Sequence, residues 1–127
     1  MPTLTTTDGA QITFVAKVVS ALTDHDASTG EAVTCVYGIT KSLLRISESV
    51  PAFMTRLKIT KNFAQLTRPN GSPVWINGGA VSSIRAPLPN EFVAGVNTVI
   101  FADGLMQGVK ETPPDVATSI NSHGGEL

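Results

Sequence analysis

The sequence has little charge, a single cysteine and no long apolar run. Charged residues make up 15% of the 127 residues, and nine Lys and Arg against ten Asp and Glu leave a net charge of −1. A chain without a basic excess has no overall field that draws it to nucleic acid or anionic lipid. Cys35 has no second cysteine to pair with, which excludes an intrachain disulfide and a cysteine-based metal site.

Apolar runs such as residues 99–102 span only a few residues, whereas a membrane-crossing helix needs about 20. The N-terminal residues form neither a basic segment nor an apolar one, so we expect no secretory signal. These absences predict no membrane partner. They also predict a cytoplasmic location, or incorporation into a particle assembled in the cytoplasm.

The composition that remains is typical of a folded chain with unusually neutral surfaces. Hydrophobic residues make up 42% of the chain, and 11 Gly and 8 Pro are spread along it. Low charge and low net charge together permit self-association. A chain of this length forms one ordinary domain or two very small ones.

An internal repeat organises the chain. Residues 4–14 align with residues 66–76 at an offset of 62, and later segments align at offsets of 63 and 64. Identity is low, but the order of features is the same in both halves: a hairpin, a short strand, a loop, two strands and a helix. The alternative is two unrelated halves that each contain hairpins, which are common in β-rich proteins.

Local signals support this order of elements. Asp8-Gly9 and Asn70-Gly71 lie between alternating runs, and such pairs favour two-residue hairpin turns because they tolerate positive φ. Ser49 and Thr112 each stand before a proline, a pattern that predicts a helix start with a hydroxyl N-cap.

The sequence therefore predicts a β-rich α+β fold. We expect two tandem, small, curled and barrel-like β-sheet units, each closed by one short C-terminal helix and packed around a pseudo-two-fold axis. The predicted first repeat covers residues 1–58, the connector 59–63 and the second repeat 64–121. Residues 122–127 are expected to form a polar tail that reaches a neighbouring subunit.

The second half resembles the small flagellar-operon proteins of the FlbD or SwrD type. The resemblance rests on four segments of turns, strands and a cap: residues 66–71, 77–81, 98–100 and 109–112. It implies a tandem duplication of a unit like theirs, and a non-enzymatic accessory role. Family members are about half as long as this chain, and their loop corresponding to residues 87–95 is shorter.

Two candidate binding features stand out. Trp75 alternates with the core residues of its strand, so it projects from the opposite face, where it could anchor an interface with the other repeat or with another chain. A basic patch surrounds the connector and offers a possible contact for RNA or another anion, the alternative being a solvated edge. The basic patch consists of Arg56, Lys58, Lys61 and Arg68.

No catalytic motif is present, so we expect no enzyme activity, no cofactor and no metal site. The His25 loop offers donors to a metal only with poor spacing, and Cys35 lies in an apolar strand where a thiol is inert. The first functional hypothesis is a structural or assembly subunit with other protein subunits as partners, such as an accessory component of a virion. The alternative is a cytoplasmic regulatory binding module akin to the flagellar proteins, which contacts RNA through the basic patch.

Overall fold

A computed structural model describes residues 2–127, which form ten strands and two helices. The β-rich α+β class predicted from the sequence is confirmed. The strands are β1 (Thr3–Thr5), β2 (Gln11–Thr13), β3 (Ala21–Thr23), β4 (Thr34–Tyr37), β5 (Leu44–Ile46), β6 (Phe63–Thr67), β7 (Pro73–Asn77), β8 (Val81–Arg85), β9 (Thr98–Ala102) and β10 (Leu105–Val109). The helices are α1 (Val50–Leu57) and α2 (Pro113–Asn121).

The strands form three antiparallel sheets, with the orders β1-β2, β5-β4-β3-β7-β6 and β10-β9-β8. None of them is a closed barrel, so the barrel-like expectation is wrong. The physical reason is that β3, from the first half of the chain, hydrogen-bonds to β7, from the second half. The largest sheet is therefore shared between the halves.

Both halves have the same order of elements: a hairpin, a 3-10 turn, a three-stranded meander and a helix. The strand registers also match at the offsets of the sequence alignment. Leu4 lies opposite Ile12 as Leu66 lies opposite Val74, Leu22 opposite Val36 as Ile84 opposite Ile100, and Thr34 opposite Ile46 as Thr98 opposite Val109.

The two turns lie where the sequence predicts them, and one of the two predicted hydroxyl caps forms. Gly9 and Gly71 have φ angles of 96° and 90° in the two hairpin turns, values that glycine adopts without steric cost. Ser49 caps α1, because its hydroxyl oxygen accepts a hydrogen bond of 3.3 Å from the Ala52 N–H. Thr112 occupies the same position before α2 but makes no side-chain cap bond.

Each half has its own hydrophobic core. The first contains α1 and the second contains α2. Core positions recur at the offsets of the alignment: Leu4 and Leu66, Phe14 and Ile76, Val36 and Ile100, Ile46 and Val109, and Phe53 and Val116. Ile59 and Phe63, at the ends of the predicted connector, are buried in the first core.

The halves are joined by the ladder between β3 and β7, in which Leu22 lies opposite Trp75. A pseudo-two-fold axis would repeat this ladder between the counterpart strands, β8 and β2. Those strands lie in separate sheets, so the pseudo-two-fold relation is not confirmed.

The C-terminal tail folds back on its own chain. The Asn121 side chain exchanges hydrogen bonds of 2.7 and 3.0 Å with the Leu127 backbone, and the Gly125 N–H donates to the Ile120 carbonyl oxygen at 2.9 Å. The tail therefore contacts its own chain, and its role as an arm for a neighbouring subunit stays a prediction. No helix in residues 2–127 has the length and apolar character that crossing a membrane requires.

Candidate functional site

The ladder between β3 and β7 contributes side chains to both cores. Side chains alternate across a strand, so Leu22 and Trp75 face the first core while Ala21 and Ile76 face the second. Ala21 and Leu22 are completely buried. These two strands form a wall that the cores share, and they join the halves through backbone hydrogen bonds as well as packing.

Trp75 is the aromatic anchor of this junction. It belongs to the second half, but its partly buried side chain packs against the first core. Sequence reasoning placed it on the face opposite the second core and left its neighbour open. The structure places the first half of the same chain there.

Polar contacts also hold the junction together. The Asn77 N–H donates to the Ser20 carbonyl oxygen and its side-chain amide donates to the Val19 carbonyl oxygen, both at 2.9 Å. The Arg68 guanidinium donates to the Ser72 hydroxyl at 2.9 Å and to the His25 carbonyl oxygen at 3.4 Å. Arg68 is only 5% exposed, so it connects the second hairpin to the loop after β3 and is not a surface cation.

The other three members of the predicted basic patch do not form one group of unpaired cations either. Arg56 is paired with Glu48 through hydrogen bonds of 2.9 and 3.0 Å, and this partner raises its pKa. Its guanidinium carbon lies 5.6 Å from the centre of the Phe53 ring. Only Lys58 and Lys61 remain as exposed members of the patch without an acidic partner among the residues described. Two lysines form a much weaker anion contact than four cations.

Asp26 anchors the loop after β3. Its buried carboxylate accepts hydrogen bonds from the Ser28 hydroxyl at 2.6 Å, the Ser28 N–H at 2.9 Å and the Arg45 Nε at 2.6 Å. These partners, the Ser28 bonds first, lower the pKa of Asp26 to about 2. His25 pairs separately with Asp24. Within residues 2–127, no group of three His, Cys, Asp or Glu side chains is placed to hold a metal ion.

The remaining candidates for a reactive side chain are either buried or lack a hydrogen bond to a neighbouring hydroxyl. Cys35 is completely buried, and burial raises the pKa of its thiol. A cavity of about 640 Å³ lies between the β4–β5 and β9–β10 turns, with Lys41 and Asp103 in its lining. Among the described lining residues, the Thr40 hydroxyl donates to the Ser42 carbonyl oxygen at 2.7 Å, and no lining hydroxyl is hydrogen-bonded to the Lys41 side chain.

Most edge strands of the three sheets lie against an edge strand of another sheet. β1 and β5 meet where the Thr7 N–H donates to the Arg45 carbonyl oxygen at 2.8 Å, beside the bridge between Thr6 and Ile46. β6 and β10 meet where the Lys110 N–H donates to the Thr67 carbonyl oxygen at 2.8 Å.

The outer sides of β2 and β8 are different, and we call them the two free edges. Each strand pairs on one side only, with β1 and β9 respectively. Across residues 2–127, no backbone hydrogen bond to another strand occupies either free edge. Val15, which continues β2, is 55% exposed, and Ser82 and Ser83 of β8 are exposed. Unpaired strand edges are templates for pairing with another strand, so the free edges are the candidate interaction site.

Comparison of the chain with protein-family models, curated proteins and solved structures finds no match.

Proposed function

We propose that this protein is a non-catalytic structural subunit of a larger assembly, made of two tandem copies of one unit. The observation that carries the proposal is the pair of free edges on β2 and β8. A protein with low charge that leaves two strand edges open gains stability when another subunit covers them. A virion accessory component is one assembly that fits this description.

The duplication is supported by the matching registers and matching core positions of the two halves. Because β3 and β7 are the only strands that form a ladder between the halves within residues 2–127, we propose a head-to-tail relation in place of the pseudo-two-fold relation. The unit boundaries and the likeness to the flagellar proteins stay predictions.

The non-catalytic role is supported by how the polar groups are used. Asp26, Arg45, Arg56 and Arg68 all hold structure through contacts within the chain. Every buried side-chain nitrogen and oxygen in residues 2–127 has a hydrogen-bond partner. Catalytic sites, by contrast, place titratable groups with perturbed pKa values in accessible clefts.

The RNA-binding alternative has less support, because Arg56 and Arg68 are engaged elsewhere in the molecule. Its test is a gel shift with single-stranded RNA at two salt concentrations. We expect no shift at physiological salt. A salt-dependent shift that disappears in a Lys58→Gln, Lys61→Gln variant would replace the structural proposal with the regulatory one.

The test of the structural role is fractionation of an extract from the cell that encodes the untagged protein. We expect the protein in fractions much larger than its 13.3 kDa mass, together with its partner subunits. If the protein runs as a monomer both in the extract and when purified, with no co-fractionating partner, the structural proposal is wrong.

A further inference from the structure

We propose that a second copy of this chain covers the free edges, with β8 of one copy pairing with β2 of the next. The template is the ladder between β3 and β7 inside the chain. At the offset of 62, β8 is the counterpart of β3 and β2 is the counterpart of β7. The inference rests on the proposed duplication and names the partner in the proposed assembly.

The internal ladder predicts the register between copies. Leu22 lies opposite Trp75 inside the chain, so Ile84 should lie opposite Thr13 of the next copy. The Asn77 N–H donates to the Ser20 carbonyl oxygen at 2.9 Å. At the same offset, the Val15 N–H of one copy should donate to the Ser82 carbonyl oxygen of another.

The backbone of β2 is oriented for this pairing. The Phe14 N–H donates to the Pro2 carbonyl oxygen at 3.0 Å, and the Ala10 carbonyl oxygen accepts from the Thr6 N–H at 2.8 Å. These inward groups belong to even-numbered residues. Because backbone groups alternate in direction along an antiparallel strand, the N–H groups of Thr13 and Val15 point to the free edge.

The side chains explain why one ladder is internal and the other lies between copies. Thr13 is the counterpart of Trp75, and Ser83 is the counterpart of Ala21. The free edges thus carry polar residues where the internal ladder carries apolar ones, which keeps a free copy in solution. The contact between copies should therefore be weaker than the internal ladder and should depend on concentration.

Apolar surface remains beside both edges. Val15 is 55% exposed next to β2, and Leu88 and Val93 are 61% and 70% exposed in the loop after β8. That loop is the counterpart of the loop that Arg68 of the second hairpin contacts inside the chain. The first hairpin of the next copy would cover this loop, with Thr6 at the position that Arg68 occupies in the second hairpin.

The contact uses different surfaces on its two sides, so it is heterologous. Heterologous contacts form a ring when the rotation closes and a filament when it does not. The predicted association is therefore a closed ring, of which a dimer with both contacts formed is the smallest, or a filament.

The first experiment removes an outward donor. Val15→Pro deletes one N–H at the free edge, and the φ of Val15, −93°, is near the range that proline accepts. Val15→Thr is the matched control that keeps the N–H. By sedimentation velocity over a concentration series, we expect the wild type and Val15→Thr to form dimers or larger species. Val15→Pro should associate about tenfold more weakly, the effect of about 1.4 kcal/mol for one lost hydrogen bond.

The second experiment tests the register and works even if Val15→Pro fails to fold. A variant with Val15→Cys and Ser82→Cys should form disulfide-linked dimers or higher species under mild oxidation, through a bond between Cys residues at positions 15 and 82 of two copies. The matched control combines Val15→Cys with Met106→Cys, because Met106 is 49% exposed on a strand that lacks a free edge in this scheme. The control should form few disulfide-linked species, because the scheme does not bring positions 15 and 106 together.

The outcomes separate this inference from the structural role. A wild type that stays monomeric, with no disulfide-linked species in the Val15, Ser82 variant, overturns the second copy as partner, while co-fractionation with other proteins still supports a structural subunit. Oligomers that cross-link equally well through Met106 also overturn the proposed register. Disulfide-linked species that appear only with Val15→Cys and Ser82→Cys support it.

Discussion

Replacing Trp75 with alanine tests whether this side chain holds the two halves together. A tryptophan side chain buries about 150–250 Å², and about 25 cal/mol per Å² gives roughly 4–6 kcal/mol for complete burial. Trp75 is only partly buried against the first core. We therefore expect Trp75→Ala to lower the free energy of unfolding by about 2–4 kcal/mol, below or within the range for a tryptophan truncated in a core.

The assay is urea unfolding followed by far-UV circular dichroism, because Trp75 is the only tryptophan in the chain and its fluorescence is lost in the variant. Trp75→Phe should recover most of the loss, since it keeps an aromatic ring against the first core. Met106→Ala, at a residue 49% exposed, should change the unfolding free energy by less than about 0.5 kcal/mol. If Trp75→Ala changes it equally little, Trp75 is not an anchor and the argument fails.

Two further predictions concern the tail and the loop after β3. A Cβ at Gly78 would overlap the His123 carbonyl oxygen, whereas one at Gly79 would have no atom nearer than 3.6 Å. Thermal melts should therefore show Gly78→Ala destabilised by about 1–3 kcal/mol and Gly79→Ala much less affected; equal effects would contradict the docked tail. The pKa of Asp26 is lowered from 3.8 to about 2, so as the pH falls the unfolded state binds the proton first and stability is lost between those values. Asp26→Asn should flatten this part of the stability–pH curve, and an unchanged slope would count against the carboxylate as the loop's anchor.

Much of the local structure follows from short-range signals. The Asp8-Gly9 and Asn70-Gly71 turns, the Ser49 cap and the order of strands and helices could all be predicted. Each of these depends on φ angles and hydrogen bonds within a few residues, which neighbouring side chains determine directly. The alternation of Trp75 with the core residues of its strand likewise predicted the face of the strand on which the Trp75 side chain lies.

The contacts of charged residues could not be read in the same way. Arg56 pairs with Glu48, and Asp26 with Arg45, 19 residues along the chain. A long charged side chain selects its partner among all groups that folding brings within reach, and sequence spacing gives little information about that set. For this reason Arg56 and Arg68 of the predicted basic patch have partners in the folded chain that the sequence did not indicate.

The sequence by itself determined the kinds of elements, their order and the turns between them, because these depend on local conformational preference. Only the tertiary structure decided that β3 pairs with β7 and that β2 and β8 keep free edges. Backbone N–H and C=O groups are the same on every strand, so a sequence does not state which edges meet. Their pairing depends on how the two cores bring the edges together, and this is a property of the whole folded chain.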